Sequence, residues 1–238
     1  MVIIQGKNNL VVGATGGIGH EAAKLLKQSG ANLYLAGRDR QKLLTVAQGL
    51  SVPGDRVFTV DFADEQSIES AASAIHGQIG QLDILINAAG IGIIKPLESL
   101  SVDDFQQTIQ ANLVGPFMLF KHFIPPMKAA KKGFIINIPG VLGKTPMAGA
   151  AAYAASKYGL NGMLKSIREE LRRTNIRITN LYLGGVDSPF WDEIDIRVQR
   201  DKFITAKDAG RAIWFLCQQP SSGVVSEMVI QPFNHQAI

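Results

Sequence analysis

Residues 9–19 have the sequence Asn-Leu-Val-Val-Gly-Ala-Thr-Gly-Gly-Ile-Gly, in which an apolar run leads directly into a glycine-rich loop. The run at 10–12 predicts a buried strand over 9–14, and the apolar residues that recur over 22–26 predict a helix ending near Gly30. Glycines let a backbone turn tightly and approach a pyrophosphate, to which the N-terminus of the next helix presents N–H groups and a partial positive charge. The spacing is G-x-x-x-G-x-G rather than the commoner G-x-G-x-x-G, but strand, loop and helix follow in the order that a dinucleotide-binding turn requires. We expect contacts to the nucleotide from Gly13, Thr15, Gly17, Ile18 and Gly19.

The rest of the chain alternates between strand patterns and helix patterns. Further strands are predicted at 31–36, 56–60, 82–86, 133–138, 175–181 and 224–230, and helices at 40–48, 63–75, 151–173 and 205–218. Such alternation predicts a parallel sheet that is covered by helices on both faces. The expected fold class is therefore α/β: a single-domain Rossmann fold over 1–238, with a doubly wound parallel sheet of about seven strands.

Composition excludes several classes of function. The 238 residues are 46% hydrophobic and 18% charged, as in soluble globular proteins, and the net charge of +4 is too small and too scattered to predict nucleic-acid binding. The sequence has no apolar run long enough to span a membrane and no N-terminal signal pattern. Cys217 is the single cysteine, so no disulfide forms within the chain, which suits the cytoplasm. None of the four histidines has a carboxylate or cysteine at metal-ligand spacing, so no metal is expected.

Two further groups of candidate residues follow predicted strands. Asp61 and Phe62 come after the third strand, and the turn Asn87-Ala88-Ala89-Gly90 comes after the fourth. Ligands of doubly wound sheets bind at the carboxyl ends of the strands. The small residues of the second group leave room for a flat ring or a ribose, although a plain tight turn would have the same composition. We list Asp61, Phe62, Asn87, Ala88 and Gly90 as cofactor-binding candidates.

Arg38 bears on which nicotinamide cofactor binds. NAD is usually held by an acidic residue about 20 residues after the first glycine, but here the second strand ends without a carboxylate and is followed by Arg38. A guanidinium matches the 2′-phosphate of NADP in charge and in bidentate geometry. We therefore expect NADP (NADPH) in preference to NAD. The alternative is a solvated loop, 38–40, in which Asp39 caps the next helix.

Tyr153 and Lys157 are the candidates for chemistry. They are four residues apart in a predicted helix, so their side chains share one face. A nearby ammonium favours the phenolate, lowers the pKa of a tyrosine and makes it usable as a general acid or base. The alternative is a helix with one buried tyrosine and one solvated lysine.

These motifs together resemble the short-chain dehydrogenase/reductase family of the single-domain type. The matches, in the family's order and from about residue 8 to about residue 231, are Gly13-x-x-x-Gly17-Ile18-Gly19, Asp61, Asn87-Ala-Ala-Gly90, Asn112, Tyr153-x-x-x-Lys157 and Gly184-Gly185-Val186-Asp187-Ser188-Pro189. The resemblance implies an NADP-dependent carbonyl reductase or alcohol dehydrogenase with Tyr153 as general acid/base. It also implies that Lys157 binds the ribose hydroxyls, and that Asn112, in a long helix towards Met127, holds a water that relays protons to this lysine.

The resemblance also implies features of the C-terminal half. Gly184, Val186 and Ser188 match the turn that contacts the nicotinamide carboxamide and the phosphates, and 187–204 matches the family's variable substrate lid. The charged residues of this lid either contact a polar substrate or are solvated: Asp192, Glu193, Asp195, Arg197 and Arg200. The expected partners are a small carbonyl or alcohol substrate and further copies of the chain, in a homodimer or homotetramer.

The sequence departs from the family at one catalytic position. The family has a serine thirteen residues before the tyrosine, where it hydrogen-bonds the substrate carbonyl, but here that position is Gly140. Removing one such donor typically costs ~10²–10³ in rate. Thr145 is the nearest hydroxyl that follows. Two functions therefore stay open: an enzyme that orients its substrate without the serine, and an NADP-binding sensor or partner protein with weak or no turnover.

Overall fold

A seven-stranded parallel sheet forms the centre of the computed structural model, which describes residues 4–220 and 222–234. Its order is β3-β2-β1-β4-β5-β6-β9, and every neighbouring pair is parallel. The strands, including a separate parallel pair of β7 with β8, are β1 (Asn8–Val12), β2 (Asn32–Gly37), β3 (Val57–Thr59), β4 (Ile84–Asn87), β5 (Gly133–Asn137), β6 (Ile176–Leu183), β7 (Val186–Asp187), β8 (Ile204–Thr205) and β9 (Glu227–Ile230). The predicted doubly wound α/β fold is confirmed. Residues 1–3 and 235–238 of the predicted domain lie outside the described residues.

Seven α-helices cover both faces of this sheet in the described part of the chain. They are α1 (Gly17–Gln28), α2 (Arg40–Gly49), α3 (Glu65–Ile79), α4 (Val102–Ile109), α5 (Gly115–Ala129), α6 (Ala151–Leu171) and α7 (Ala206–Leu216). Val11 packs with residues of α1, α2 and α7, whereas its neighbour Leu10 packs with residues of α3, α5 and α6. Successive side chains of a strand point to opposite faces. Both faces are covered, so the strand is apolar throughout rather than alternating.

The element boundaries differ from the predicted ones in several places. α3 begins at Glu65 rather than 63, because the Asp64 carboxylate caps it by accepting from the Gln66 N–H at 2.9 Å. The last strand begins at Glu227 rather than 224. Helix α4 and the short strand pair of β7 with β8 were not predicted from the sequence.

The order of the strands in the sheet indicates where a ligand would bind. β1 lies between β2 and β4, so the connections that leave β1 and β4 run to opposite sides of the sheet. In doubly wound sheets the crevice at this point binds the ligand. The glycine loop follows β1, and the turn at 87–90 follows β4.

Candidate active site

Glycines allow three separate loops to meet at the carboxyl end of the sheet. Gly13 has φ +84°, and a Cβ there would lie 2.7 Å from the carbonyl carbon of Ala88, in the turn after β4. A Cβ at Gly17 would lie 2.9 Å from the Ser188 Cβ, in the segment after β7. A Cβ at Gly19 would collide with the carbonyl oxygen of Gly13. These positions leave the first turn of α1, whose N–H groups have no intrahelical acceptor, open to a ligand.

The turn after β4 is held from behind by its asparagine. The Asn87 Nδ2 donates to the Oδ1 of Asn137 on β5 at 2.9 Å, and Asn87 is buried. The Ala88 N–H donates to the Val12 carbonyl at 2.9 Å, which ties this turn to the end of β1. The side chain of Asn87 therefore supports the turn, while Ala88 and Gly90 line the adjacent cavity.

Tyr153 and Lys157 line that cavity from one face of α6. Lys157 is only 4% exposed, so it is not a solvated lysine, and its Nζ lies 5.3 Å from the centroid of the Tyr153 ring. Burial lowers the pKa of Lys157 to about 8 and raises the pKa of Tyr153 above its usual value. The expected lowering of the pKa of Tyr153 by Lys157 is not found in this structure, where the loss of hydration on burial raises this pKa instead. The phenol is therefore protonated at neutral pH.

Asn112 lies next to this pair, in a π-helical turn (Gln110–Val114) between α4 and α5. Its Nδ2 donates to the Ile91 carbonyl at 2.9 Å and to the Ser156 Oγ at 3.2 Å, and its Oδ1 accepts from the Ile91 N–H at 2.9 Å. A Cβ at Gly90 would lie 2.9 Å from this Oδ1 and 3.3 Å from the Lys157 Nζ. The Ile91 turn thus supplies most hydrogen-bond partners of the Asn112 side chain. The Asn112 Oδ1 and the Lys157 ammonium both lie close to Gly90. π-Helical turns occur frequently at functional sites.

Gly140 has a backbone conformation that only glycine adopts easily. Its φ is 72° and its ψ is 166°, a region that is nearly exclusive to glycine. A Cβ there would lie 3.9 Å from the Tyr153 hydroxyl, so the position does face the candidate proton donor. The hydroxyl of Thr145 does not replace the serine, since its Oγ1 donates to the Val141 carbonyl at 3.1 Å.

The loop that carries Gly140 is anchored at its far side. The Asn161 Nδ2 on α6 donates to the Gly143 carbonyl at 3.2 Å. The Lys144 ammonium lies 2.6 Å from a Glu227 carboxylate oxygen on β9 and 4.3 Å from the centroid of the Tyr182 ring. These contacts connect the loop to the sheet and to α6, so they help to fix the position of Gly140.

A cavity of about 680 Å³ extends from the glycine loop past Tyr153. The predicted site residues that line it are Gly17, Ile18, Gly19, Ala88, Gly90, Tyr153, Lys157, Gly184, Val186 and Ser188. The predicted residues outside its lining are Gly13, Thr15, Arg38, Asp61, Phe62, Asn87 and Asn112.

The residues outside the lining have different surroundings. Phe62 is buried against Gly115, and the Asp61 Oδ1 accepts from the Ala63 N–H at 2.9 Å. Arg38 is exposed just after β2, whose Ala36 carbonyl accepts from the Gly13 N–H at 2.8 Å. Arg38 therefore follows a strand whose end is hydrogen-bonded to the first residue of the glycine turn. Asp39 caps α2 by accepting from the Lys42 N–H at 3.0 Å, as the alternative for 38–40 proposed. This cap does not involve the side chain of Arg38, so it is compatible with a contact between Arg38 and a ligand.

A second group of lining residues is mainly apolar and lies in the loop after β5 and in the expected lid 187–204, but its members were not predicted individually. They include Leu142, Met147, Phe190, Trp191, Ile196 and Phe203. These segments have no helix or strand period, so a periodicity search does not detect them. The sequence does contain one signal for these residues, namely several large apolar side chains within one predicted loop. Clusters of this kind often belong to a binding site.

Arg200 fixes the shape of the segment 187–204. Its Nε lies 2.7 Å from the Asp187 Oδ1, its Nη1 lies 2.6 Å from the Asp192 Oδ1, and its Nη2 donates to the Ser188 carbonyl at 3.0 Å. Arg200 thus joins the two ends of the segment. Glu193, Asp195 and Arg197 are exposed and are not among the residues that line the cavity.

Comparison with known proteins decides the family. The profile of the family described as short chain dehydrogenase matches residues 7–198. The chain belongs to the short-chain dehydrogenase family. An uncharacterised oxidoreductase of Staphylococcus epidermidis is 30% identical over 232 residues, which are 98% of this chain and 100% of the relative.

Solved structures of the family have the same fold. A metagenomic short-chain oxidoreductase in complex with NADP is 31% identical, with a TM-score of 0.84 over 97% of this chain and 99% of the other. Serine dehydrogenase from Escherichia coli is 25% identical, with a TM-score of 0.84 over 96% and 99%. The family places this chain among the oxidoreductases.

Two further findings concern the described residues, 4–220 and 222–234. None of their helices has both the length and the apolar character needed to span a bilayer. No three of their histidine, cysteine, aspartate and glutamate side chains are grouped so that they could hold a metal ion.

Proposed function

We propose that this protein is an NADP-dependent oxidoreductase that transfers hydride between the nicotinamide and a carbonyl or alcohol substrate. The observation that carries the proposal is the position of Tyr153 and Lys157, on one face of α6 and on the wall of the cavity that begins at the glycine loop. The glycine loop also fits the cofactor, because side chains at Gly17 and Gly19 would fill the space at the start of α1.

Each part of the cofactor has a candidate contact. The first N–H groups of α1, at Gly17–Gly19, would hold the pyrophosphate, and Arg38 would hold the 2′-phosphate. Lys157 would bind the nicotinamide ribose, with the small residues Ala88 and Gly90 beside it. The turn 184–188 would contact the carboxamide. NADPH, when bound, supplies the hydride.

The protonation state of Tyr153 is the one that carbonyl reduction requires, because burial raises the pKa of the phenol and keeps it protonated at neutral pH. A phenol that stays protonated at neutral pH can donate its proton to the carbonyl oxygen as negative charge develops there. Lys157, with a pKa of about 8, is mostly charged at neutral pH and stabilises the phenolate that remains. Asn112 is a positioning residue in this proposal: it fixes the Ile91 turn and directs its Oδ1 to the point where a relay water would reach Lys157.

The test is the oxidation of NADPH at 340 nm by the purified protein, with a panel of aldehydes, ketones and quinones. NADH is measured in parallel. We expect turnover with NADPH at least ~10-fold above that with NADH, since a charge-assisted hydrogen bond contributes ~1.5–3 kcal/mol. No oxidation of either cofactor with any member of the panel would contradict the proposal.

A second candidate function rests on Gly140. An NADP-binding sensor or partner protein would not need a hydrogen-bond donor for the carbonyl, and Gly140 has none in its side chain. Tight binding of NADPH with no turnover across the panel would favour this second function. The position of Asn112 beside Lys157 favours the enzyme, because a protein that only binds the cofactor has no need for Asn112 at the point where a relay water would reach this lysine.

The assembly proposed is a homodimer or homotetramer. Phe105 on α4, Phe117 on α5 and Tyr158 on α6 are large apolar residues that are 40–47% exposed in the single chain. Contiguous patches of exposed apolar residues are typical of protein contacts, and α4 packs against α6, which brings two of these helices together. Sedimentation equilibrium of the purified protein tests this part of the proposal, and a single species at the monomer mass of 25.7 kDa would contradict it.

A further inference from the structure

The part of the cavity beyond Tyr153 has an apolar wall. Leu142 and Met147 come from the loop after β5, Ile94 from the connection after β4, and Phe190 from the lid segment 187–204. These side chains pack around Tyr153 in one cluster with Ala150, Trp191 and Ile194. A substrate whose carbonyl reaches the Tyr153 hydroxyl must place its substituents against this cluster.

Aromatic rings form a continuous series along one side of the wall. The ring centroids of Tyr153 and Phe190 are 5.8 Å apart, those of Phe190 and Trp191 are 5.3 Å apart, and those of Trp191 and Phe203 are 5.2 Å apart. The polar atom of Trp191 is already used, since its Nε1 donates to the Val186 carbonyl at 3.0 Å. Apart from the Tyr153 hydroxyl, the series therefore presents ring faces and edges rather than hydrogen-bond donors to a ligand.

The absence of a side chain at Gly92 makes room for the ring of Phe190. A Cβ at Gly92 would lie 2.7 Å from the Phe190 Cε2 and 2.8 Å from the Ile194 Cδ1. Glycine at this position leaves the space that the ring occupies, beside the candidate proton donor. Phe190 is thus packed between the connection after β4 and Tyr153, and it is a candidate for determining specificity.

Most charged residues of the lid lie outside this wall. Arg200, Asp187 and Asp192 pair with one another and do not line the cavity. Within the described residues, the charged side chains that line the cavity are Lys157, assigned above to the cofactor, and Lys202, which is exposed to solvent. An ionised substrate group in the interior would lose its hydration without gaining a partner, which is strongly unfavourable.

We propose that the substrate is an uncharged aldehyde or ketone whose carbonyl carries an aromatic or bulky aliphatic group, and that this group packs against Phe190 and Leu142. This inference rests on the proposed function, because it assumes that Tyr153 is the proton donor. It excludes substrates that carry a carboxylate or phosphate near the carbonyl.

The test compares aldehydes that differ in charge but little in shape. The probes are 4-methylbenzaldehyde, methyl 4-formylbenzoate and 4-formylbenzoate, with glyceraldehyde as a small polar probe, and the readout is kcat/KM for NADPH oxidation. We expect the methyl ester to exceed the carboxylate by roughly 10²-fold, because the wall lacks a partner for the charge. 4-Methylbenzaldehyde is expected to exceed the carboxylate as well, although its carbonyl is less electrophilic, which separates charge from reactivity.

A variant pair tests the assignment of Phe190. Phe190→Ala is expected to lower kcat/KM for the uncharged aromatic aldehydes by roughly 10-fold or more, while glyceraldehyde changes little. Phe215→Ala is the matched control, since Phe215 is 56% exposed on α7 and does not line the cavity. Equal losses for aromatic and small aldehydes would overturn the assignment.

The outcomes separate failure of the inference from failure of the function. Turnover that favours 4-formylbenzoate, and that loses this preference in Lys202→Gln, would overturn the inference and leave the proposed function standing. No turnover with the four probes, while another member of the carbonyl panel is reduced, would overturn the inference alone. No turnover with the probes or with any member of the panel would overturn both.

Fluorescence gives a readout that does not need turnover. Trp191 and Trp214 are the two tryptophans, so Trp214→Phe leaves only the lid tryptophan. In the presence of NADPH, 4-methylbenzyl alcohol should change the emission of Trp191 at concentrations where 4-(hydroxymethyl)benzoate does not. The reverse order would contradict the proposed apolar site.

Discussion

Gly140 stands where the family has its catalytic serine, and its backbone conformation leads us to two predictions. One concerns the melting temperature of variants at this position, and the other concerns their kcat/KM. Any residue with a Cβ must adopt the φ of 72° and ψ of 166° found there, or move the loop. Such strain costs ~1–3 kcal/mol. In a domain of this size, 1 kcal/mol shifts the melting temperature by about 2–4 °C, so Gly140→Ser and Gly140→Ala should both melt roughly 2–12 °C below the wild type.

The two variants differ only in the hydroxyl, so their ratio isolates the effect of a hydrogen-bond donor. The Cβ of either would lie 3.9 Å from the Tyr153 hydroxyl, and the serine Oγ, one bond further, can reach a carbonyl bound at the same point. We expect kcat/KM of Gly140→Ser to exceed that of Gly140→Ala by up to ~10²–10³, the usual contribution of one oxyanion donor. The dissociation constant for NADPH should be equal in both, because this position faces the substrate rather than the glycine loop.

Differential scanning calorimetry and steady-state kinetics provide the two measurements. Melting temperatures equal to that of the wild type in both variants would refute the strain reasoning. Equal kcat/KM in the serine and alanine variants would refute the reasoning about the missing donor.

Two further predictions concern the cofactor and the pH dependence. Arg38→Asp should shift the NADPH/NADH ratio of kcat/KM towards NADH by roughly 10–10²-fold, whereas Arg40→Asp, two residues away, should not; an unchanged ratio in the first variant would show that Arg38 does not contact the 2′-phosphate. For the wild type, kcat/KM for NADPH should fall as the pH rises through about 8, because the Lys157 ammonium then loses its proton and can no longer donate charge-assisted hydrogen bonds or stabilise a phenolate. A profile that stays flat from pH 7 to beyond that value would contradict the assigned role of Lys157.

Much of the fold could be predicted from short sequence patterns, namely apolar runs, turn residues and helix caps. The apolar runs at 10–12 and 134–136 belong to strands that are buried on both faces, and each is followed by a glycine or polar turn at the end of the sheet. A helix cap was predictable in the same way: Asp39 accepts from the Lys42 N–H at 3.0 Å at the start of α2, as the alternative stated for 38–40 proposed. These features depend on residues close together in the chain, so the sequence expresses them directly.

The features that the sequence did not predict depend on contacts between distant residues. Strands β7 and β8 have two residues each and exist because Val186 and Ile204 pair across the lid segment. The pKa of Tyr153 depends on how deeply its phenol is buried, and a spacing of four residues to Lys157 says nothing about burial. The φ of Gly140 and the ring series at Phe190 likewise follow from the packing of loops, for which no local pattern exists.

The most direct test of the account is the effect of Tyr153→Phe on NADPH oxidation. This change removes the hydroxyl but keeps the ring and its contact with Phe190. With an aldehyde that the wild type reduces, kcat should fall by ~10²–10⁴, the usual contribution of a general acid, while the dissociation constant of NADPH changes less than a few-fold. A variant that keeps the wild-type rate would contradict the claim that Tyr153 donates the proton.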